Sequence, residues 1–301
     1  MFLRSLVFSF LLLFALPLFS DELIIEPEMG IKPLLNAIQS TQHSLDLVMY
    51  GFTDQSLLNA ILQKKKEDKA IKIILEAKPY KSESENNKVI AAFNQQDIAW
   101  QGQLPFFRLI HQKTLILDND KAIIMTFNFT HSTFKNERNV GLVIDNPKRV
   151  KAIQTIFDAD WNHVQAINTD ADIILSPNDS RDKLLTLIQK AKHSIRIYAQ
   201  NISDYKMILA LENAARRSVN VEIITSNENV KLSQVHVYYN KKFIIHAKIL
   251  MIDNKIAVIG SINLTRASLD NNRELSVITR DANVIAELNA LFDQDSNPNA
   301  T

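Results

Sequence analysis

His111-Gln112-Lys113-Thr114-Leu115-Ile116-Leu117-Asp118 returns 135 residues later as His246-Ala247-Lys248-Ile249-Leu250-Met251-Ile252-Asp253. Each copy reads His-x-Lys, four residues, Asp, and each is followed ten residues on by an asparagine, Asn128 or Asn263. One such match carries little weight as a motif. Two in the same register, set in similar surroundings, argue for a duplicated unit. In a strand, residues i and i+2 face the same side, so His111 and Lys113 project together, as do His246 and Lys248. Asp118 and Asp253 then fall at strand ends, beside hairpin returns through Asn119-Asp120 and Asn254-Lys255, where an Asp ordinarily forms the turn.

Outward from the motifs the duplication continues. Leu23-Ile24-Ile25-Glu26-Pro27 corresponds to Ile173-Ile174-Leu175-Ser176-Pro177 at an offset of 150, and His43-Ser44-Leu45 to His193-Ser194-Ile195. From the motif onward the offset is 135, so Ile156-Phe157-Asp158-Ala159-Asp160 meets Leu291-Phe292-Asp293-Gln294-Asp295. The first half therefore holds about 15 extra residues within 78–107. Helical spacing of Val89, Ile90 and Phe93 predicts a helix there, over Glu85–Trp100.

Each half reads strand, helix, strand, helix, strand, motif strand, hairpin return and final helix, the last with Pro147 in its first turn. Alternation of this kind predicts an α/β fold: two similar mixed-sheet halves flanked by helices, paired about a pseudo-twofold axis with the active site at their interface. The boundaries are 21–167 for the first half and 168–301 for the second, with Asn168–Asp172 as the junction. Residues 1–20 carry one charge, Arg4, ahead of the apolar run Ser5–Phe19 and Ser20-Asp21-Glu22. That pattern predicts a cleaved secretory signal and a periplasmic or secreted protein. An uncleaved anchor is the competing reading, but the run is shorter than the ~20 residues a span needs.

The chain has 46% apolar and 22% charged residues and a formal net charge of +1. This balance fits a globular chain long enough to bury a large core. No cysteine is present, which excludes a disulfide scaffold and a thiolate zinc site. Near-neutral charge argues against a nonspecific nucleic-acid binder, whose affinity comes from phosphate contacts. Lys64-Lys65-Lys66 reads as the wet end of a helix. His43, His131, His163, His193 and His236 lack the companions that distinguish His111 and His246, and read as core or surface residues.

One half holds one motif histidine. If the halves pair, the two histidines converge, and one can attack phosphorus while the other protonates the leaving oxygen. Lysine ammonium and asparagine amide groups would meet charge developing on the phosphoryl oxygens. No cofactor or metal is needed. On the paired motifs, the asparagine after each, and Asn272-Arg273-Glu274, the chain resembles the phospholipase D superfamily over essentially everything after residue 20. The resemblance implies a phosphohistidine intermediate and a catalytic set of His111, Lys113, Asp118, His246, Lys248 and Asp253. It further implies phosphate-binding or orienting roles for Asn128, Asn263, Ser261, Thr126, Glu274 and Asn139.

The halves differ at two points. Gly260-Ser261-Ile262-Asn263 has the usual form, whereas Met125-Thr126-Phe127-Asn128 lacks the glycine, which puts backbone approach to phosphate there in question. Asn139 stands where the second half has Glu274, and the resemblance makes this position the partner of the motif histidine. On that basis His246, beside a carboxylate, is the expected acid, and His111, beside an amide, the expected nucleophile. Glu137 restores a carboxylate there if it lies one strand pitch away, which would weaken this assignment.

The leading functional expectation is an exported phospholipase D that hydrolyses phospholipid to phosphatidic acid and a head group, acting as a monomer at a membrane surface. An endonuclease acting on nucleic acid is the second reading. A phosphatidyltransferase of the cardiolipin synthase kind is the third, and a non-catalytic lipid- or nucleic-acid-binding relic the fourth.

Overall fold

The computed structural model describes residues 21–102 and 104–297, so the expected signal segment lies outside the described residues. The first half runs β1 (Glu22–Glu26), α1 (Lys32–Ser40), β2 (Ser44–Met49), α2 (Gln55–Lys66), β3 (Ala70–Leu75), α3 (Asn87–Gln95), β4 (Ala99–Gln101), β5 (Thr114–Leu117), β6 (Lys121–Met125), β7 (Glu137–Ile144) and α4 (Pro147–Trp161). The second runs β8 (Ile173–Ser176), α5 (Ser180–Lys190), β9 (Ser194–Tyr198), α6 (Tyr205–Arg216), β10 (Asn220–Thr225), β11 (His236–Tyr239), β12 (Ile244–Ile245), β13 (Ile249–Ile252), β14 (Ile256–Gly260), α7 (Arg266–Asp270), β15 (Glu274–Thr279) and α8 (Ala282–Ser296).

One sheet is ordered β1-β7-β6-β5-β2-β3-β4 and the other β11-β10-β9-β13-β14-β15-β8. Read from opposite ends these are the same order, so the two halves share a topology. In each, the strands next to helix crossovers pair in parallel and the hairpin-linked strands pair antiparallel, as connection length dictates. The insertion in the first half contributes α3, shorter than the helix expected over Glu85–Trp100. Trp100 belongs instead to β4, which pairs with β3.

Local chemistry repeats with the topology. Asp54 and Asp204 cap α2 and α6 by accepting backbone N–H bonds from the first turn, which satisfies donors a helix start leaves open. The hairpins after β5 and β13 turn through Asp118-Asn119 and Asp253-Asn254, all four with φ between 53° and 58°. Two consecutive positive φ values define a type I′ turn, whose twist matches the flanking strands. The turn pairs thus sit one residue earlier than expected.

Among the described residues three cores hold the fold. Two are private, one under α1 and α2 and one under α5 and α6. The third is shared: Ile116, Ile124 and Leu142 of the first sheet pack in one cluster with Met251, Ile259 and Val277 of the second, joined by Phe157 of α4 and Phe292 of α8. Burying one such phenyl ring contributes about 1.5–3 kcal/mol, so the halves are fixed to each other by their own core. Backbone bonds cross the junction too. Ile245 of β12 pairs with Arg138 of β7, and Ile110 bridges Arg273.

Candidate active site

The crossing backbone bonds set the site. His111 and Gln112 both donate their N–H to the Arg273 carbonyl at 2.9 Å. His246 and Ala247 donate to the Arg138 carbonyl at 3.2 and 2.9 Å. The two His-x-Lys segments are therefore not strands, as the sequence reading held. The ladder begins at Thr114 and at Ile249, because the preceding N–H groups are committed to the opposite half. Arg138 and Arg273 are fully buried. Arg138 is held by Glu28 and Asp295, and Arg273 by Asp160.

Each imidazole is then gripped at Nδ1 by a residue of the other half. His111 Nδ1 lies 2.8 Å from Glu274 Oε2, and His246 Nδ1 lies 3.2 Å from Asn139 Oδ1. This corrects the sequence reading, which paired each histidine with the residue of its own half: the carboxylate stands behind His111 and the amide behind His246. In both cases the acceptor fixes the hydrogen on Nδ1 and leaves Nε2 as the free nitrogen. The histidine side chains keep 14% and 11% exposure, so both rings still meet solvent.

The lysines lie deeper. Lys113 Nζ donates to the His111 carbonyl at 2.6 Å, and Lys248 Nζ bonds the His246 carbonyl. Lys248 also reaches Thr126 O of the first half at 3.4 Å. Burial pushes the Lys113 ammonium down to about 7, against the pull of Glu274 and Glu137. Burial and the neighbouring Lys113 push Lys248 well below the ordinary lysine range. Burial also lowers His111, partly offset by Glu274. His246 goes well below the usual histidine value, from burial and then from Lys248, Lys113 and His111. Four groups that share so little solvent repel one another's protons, and an incoming phosphodiester anion would relieve all four.

The remaining expected residues divide into those the structure brings to this centre and those it does not. Asp118 and Asp253 are not at it. They sit at the far end of the motif strands, some seven residues and about 23 Å of extended chain from the histidines. Asp118 accepts N–H bonds from Gln42, His43 and Ser44, and Asp253 from Lys192, His193 and Ser194. Burial alone would raise these carboxyls, yet three backbone donors hold each below its ordinary value. Their role is to tie the helix–strand loop to the hairpin.

Thr126 and Ser261 do not face a phosphate either. Thr126 Oγ1 donates to Asn139 Oδ1 at 2.8 Å and accepts from Val140 N, while Ser261 Oγ accepts from Leu275 N. Thr126 is thus an orienting residue for the amide behind His246. Gly260 is required by packing, not by phosphate: a Cβ there would lie 2.3 Å from the Leu275 carbonyl and 2.5 Å from Ser276 Cα. Asn128 Oδ1 accepts from Gly51 N at 3.3 Å. Asn263 Oδ1 is buried without a protein partner and lines, with Lys248, a cavity of about 30 Å³. Among the described residues no group of three His, Asp or Glu side chains is arranged to hold a metal.

Sequence reading missed Tyr50 and Ser268. The Tyr50 ring meets His111 edge-on at 4.9 Å and lies 5.2 Å from Lys113 Nζ. Ser268 donates to Glu274 Oε1 at 2.5 Å. Ser268 was findable, since the offset of 135 pairs it with Thr133, whose hydroxyl likewise reaches a carboxylate, Glu137. Tyr50 was not, because its counterpart carries no ring.

With this geometry in view, comparison with known proteins defines the class. The chain matches the family described as "Cardiolipin synthase, PLD-like domain" over residues 34–161 and 184–296. It belongs to that family, and with it to the phospholipase D superfamily. A cardiolipin synthase of Listeria welshimeri is 24% identical over 338 residues, covering 91% of this chain and 68% of that protein. The chain spans 45–68% of the length of the first curated relatives it matches.

Among solved structures, phosphatidylserine synthase of Haemophilus influenzae aligns over 92% of this chain and 86% of its own, with a TM-score of 0.72 at 10% identity. Polyphosphate kinase of Porphyromonas gingivalis aligns over 93% of this chain and 51% of its own, with a TM-score of 0.75 at 15% identity. These two establish the shared fold.

Proposed function

We propose that the chain acts on phospholipid as a phospholipase D, taking the phosphatidyl group onto His111 and passing it to water. The observation that carries this reading is the pair of imidazoles held at Nδ1 across the junction, with two buried lysines beside them. Attack by Nε2 on phosphorus places positive charge on the imidazole, and Glu274 stands 2.8 Å behind His111 to stabilise it. Protonating the leaving oxygen removes positive charge from the other imidazole, and Asn139, a neutral acceptor, does not hold that proton back as a carboxylate would.

His111 therefore serves as nucleophile and His246 as acid, then as base for water. The assignment matches the sequence expectation although its premise was inverted. What decides it is the change of charge during the reaction, not the resting proton affinity. Lys113, Lys248 and His246 each take up a proton as the phosphodiester anion arrives, the lysines to neutralise its oxygens and His246 to carry on Nε2 the proton it gives the leaving oxygen.

Transfer to an alcohol is the second reading, favoured by the cardiolipin synthase relatives that cover most of this chain. No helix among the described residues is long and apolar enough to cross a membrane. An exported setting rests on residues 1–20 and is tested by the N-terminus of the protein recovered outside the cytoplasm.

Purified protein assayed in EDTA on phosphatidylcholine, phosphatidylethanolamine, phosphatidylglycerol and single- and double-stranded DNA separates the readings. Phosphatidic acid is the expected product. Cardiolipin from phosphatidylglycerol would establish the transferase, and cleavage of DNA alone would overturn the lipid reading.

A further inference from the structure

Behind His246 stands more than an amide. Asn139 Oδ1 accepts from Thr126 Oγ1 at 2.8 Å and faces His246 Nδ1 at 3.2 Å. Its Nδ2 donates to Glu137 Oε2 at 3.0 Å. Glu137 in turn is fixed by Ser132 Oγ, 2.7 Å from Oε1, and Thr133 Oγ1, 3.3 Å from Oε2. The carboxylate itself stops 3.8 Å short of His246 Nδ1, outside hydrogen-bond range. An imidazole, an amide and a carboxylate thus form a chain, where the other half has imidazole and carboxylate in direct contact.

We infer that Glu137 is a positioning residue for the acid: by anchoring the Asn139 amide it keeps the carbonyl toward His246 and so holds His246 with hydrogen on Nδ1 and Nε2 toward the substrate. The inference rests on the role proposed for His246. An asparagine side chain has two near-isosteric orientations, and only its partners select one. Reversed, the amide would point N–H at Nδ1, favour hydrogen on Nε2 in the neutral ring, and oppose the doubly protonated form an acid needs. Thr126 donates to the carbonyl and Glu137 accepts from the NH2, so both ends are specified. Because the carboxylate acts through an amide, it steers the ring while holding its proton less firmly than direct contact would.

The chain of residues is written into the repeat. Glu137-Arg138-Asn139 aligns with Asn272-Arg273-Glu274 at the offset of 135, so acid and amide have exchanged places about a shared arginine. In the second half Glu274 meets its histidine directly, and Asn272 at the other end is buried with its Oδ1 unpartnered.

The test needs no substrate for its first arm. Protein carrying 13C,15N-histidine, with His246 assigned by its loss in His246→Asn, reports tautomer and titration by NMR. Facing that ring are Lys248 from its own segment, Lys113 and His111 from the first half, and Glu137 from β7, so Glu137 variants change one charge among four. Wild type is expected to show the Nδ1–H tautomer. Glu137→Ala should give a mixture or the Nε2–H form. Glu137→Gln keeps an acceptor for the amide and should restore the Nδ1–H tautomer, while its ring titrates at least about half a unit lower for loss of a charge 3.8 Å away.

In the second arm, turnover of bis(p-nitrophenyl) phosphate should fall at least about tenfold in kcat for Glu137→Ala with little change in KM, and recover partly in Glu137→Gln. A His246 tautomer identical to wild type in Glu137→Ala would overturn the inference, whatever the titration shows. If Glu137→Ala does not fold, Glu137→Met, which likewise offers the amide no acceptor, takes its place in both arms. Altered tautomers in a protein with no phosphodiesterase activity would instead sink the proposed function and leave the positioning role standing.

Discussion

The two halves are built to one plan and furnished from opposite strands. In the second, Gly260 on β14 faces Ser276 on β15; in the first, Met125 on β6 faces Gly141 on β7. In the second, Glu274 on β15 faces Ser176 on β8; in the first, Asn139 on β7 faces Glu26 on β1. A glycine and a carboxyl are present at both places, each moved across the ladder to the neighbouring strand. What stays symmetric is backbone: the I′ turns, the Asp118 and Asp253 anchors, and the crossing bonds to the Arg138 and Arg273 carbonyls. The frame that brings the imidazoles together has kept its twofold character while the side chains behind them diverged. A symmetric pair of histidines could exchange roles, whereas this pair is biased.

The bias is broken most directly by removing one histidine at a time. His111→Asn should abolish phosphoenzyme formation with any substrate, lowering turnover by at least about 10³-fold. His246→Asn keeps the nucleophile and loses the acid. A nitrophenyl phosphodiester, whose leaving group needs little protonation, should still phosphorylate His111, and the intermediate should accumulate for want of the base that activates water. Acid quench and peptide mass mapping locate the phosphate; finding it on His246 would reverse the roles and show that Glu274 marks the acid.

Much of this was legible beforehand, and the failures have a common cause. The duplicated strand–helix order follows from periodicity, and the convergence of His111 and His246 from the arithmetic of one histidine per half. Sequence offset matched Asn139 with Glu274 correctly but could not say which histidine each would face. That depends on β7 and β15 crossing the junction, a contact between residues 163 apart for His111 and Glu274. The same crossing removed the His-x-Lys segments from the strands. The missing glycine at Met125 looked like a lost phosphate contact because Gly141, sixteen residues on, is its counterpart only in register.

The lysines sharpen the comparison next. Lys113 sits near 7 in the free protein and Lys248 well below its ordinary value. A lysine is charged below its pKa and neutral above it, so phosphodiester binding that draws on Lys113 should weaken as pH rises. We expect kcat/KM to fall above about pH 7, by up to about tenfold per unit, and the limb to lie higher in kcat because bound phosphate restores the charge. Lys113→Arg should move the limb in kcat/KM out of range at a cost in kcat. A limb unmoved by that substitution would assign it to Lys248 instead.

The exchanged glycines should respond unequally to one methyl group. Gly260→Ala forces a Cβ to within 2.3 Å of the Leu275 carbonyl, and overpacking of this kind costs about 1–3 kcal/mol. At Gly141 the nearest atoms to an added Cβ are 3.5 Å away, in ordinary contact. Gly141→Ala should therefore be neutral or stabilising by up to about 1 kcal/mol, since it restricts the unfolded chain. Equal losses in urea unfolding would mean that the glycine has not in fact moved across the ladder.

The smallest effect concerns the carboxyl left over on β1. Glu26 is fully buried opposite Asn139, and burial raises it to about 8 against the weaker pull of the Gly30 N–H. Its folded pKa lies above its unfolded value of about 4.3. Between those values the folded chain holds a proton that the unfolded chain has released, so stability falls as pH rises from about 4.3 toward 8. Glu26→Gln removes that ionisation while keeping shape and polarity. The variant should therefore gain thermal stability over wild type at pH 8 and gain little or nothing near pH 4.5. Ser176→Ala, at the matching place in the second half, removes no titrating group and should shift the melting temperature equally at both pH values. A Glu26→Gln difference that does not grow with pH would mean that the buried carboxyl is ionised and satisfied in solution, and the second exchange would then be one of position without consequence for charge.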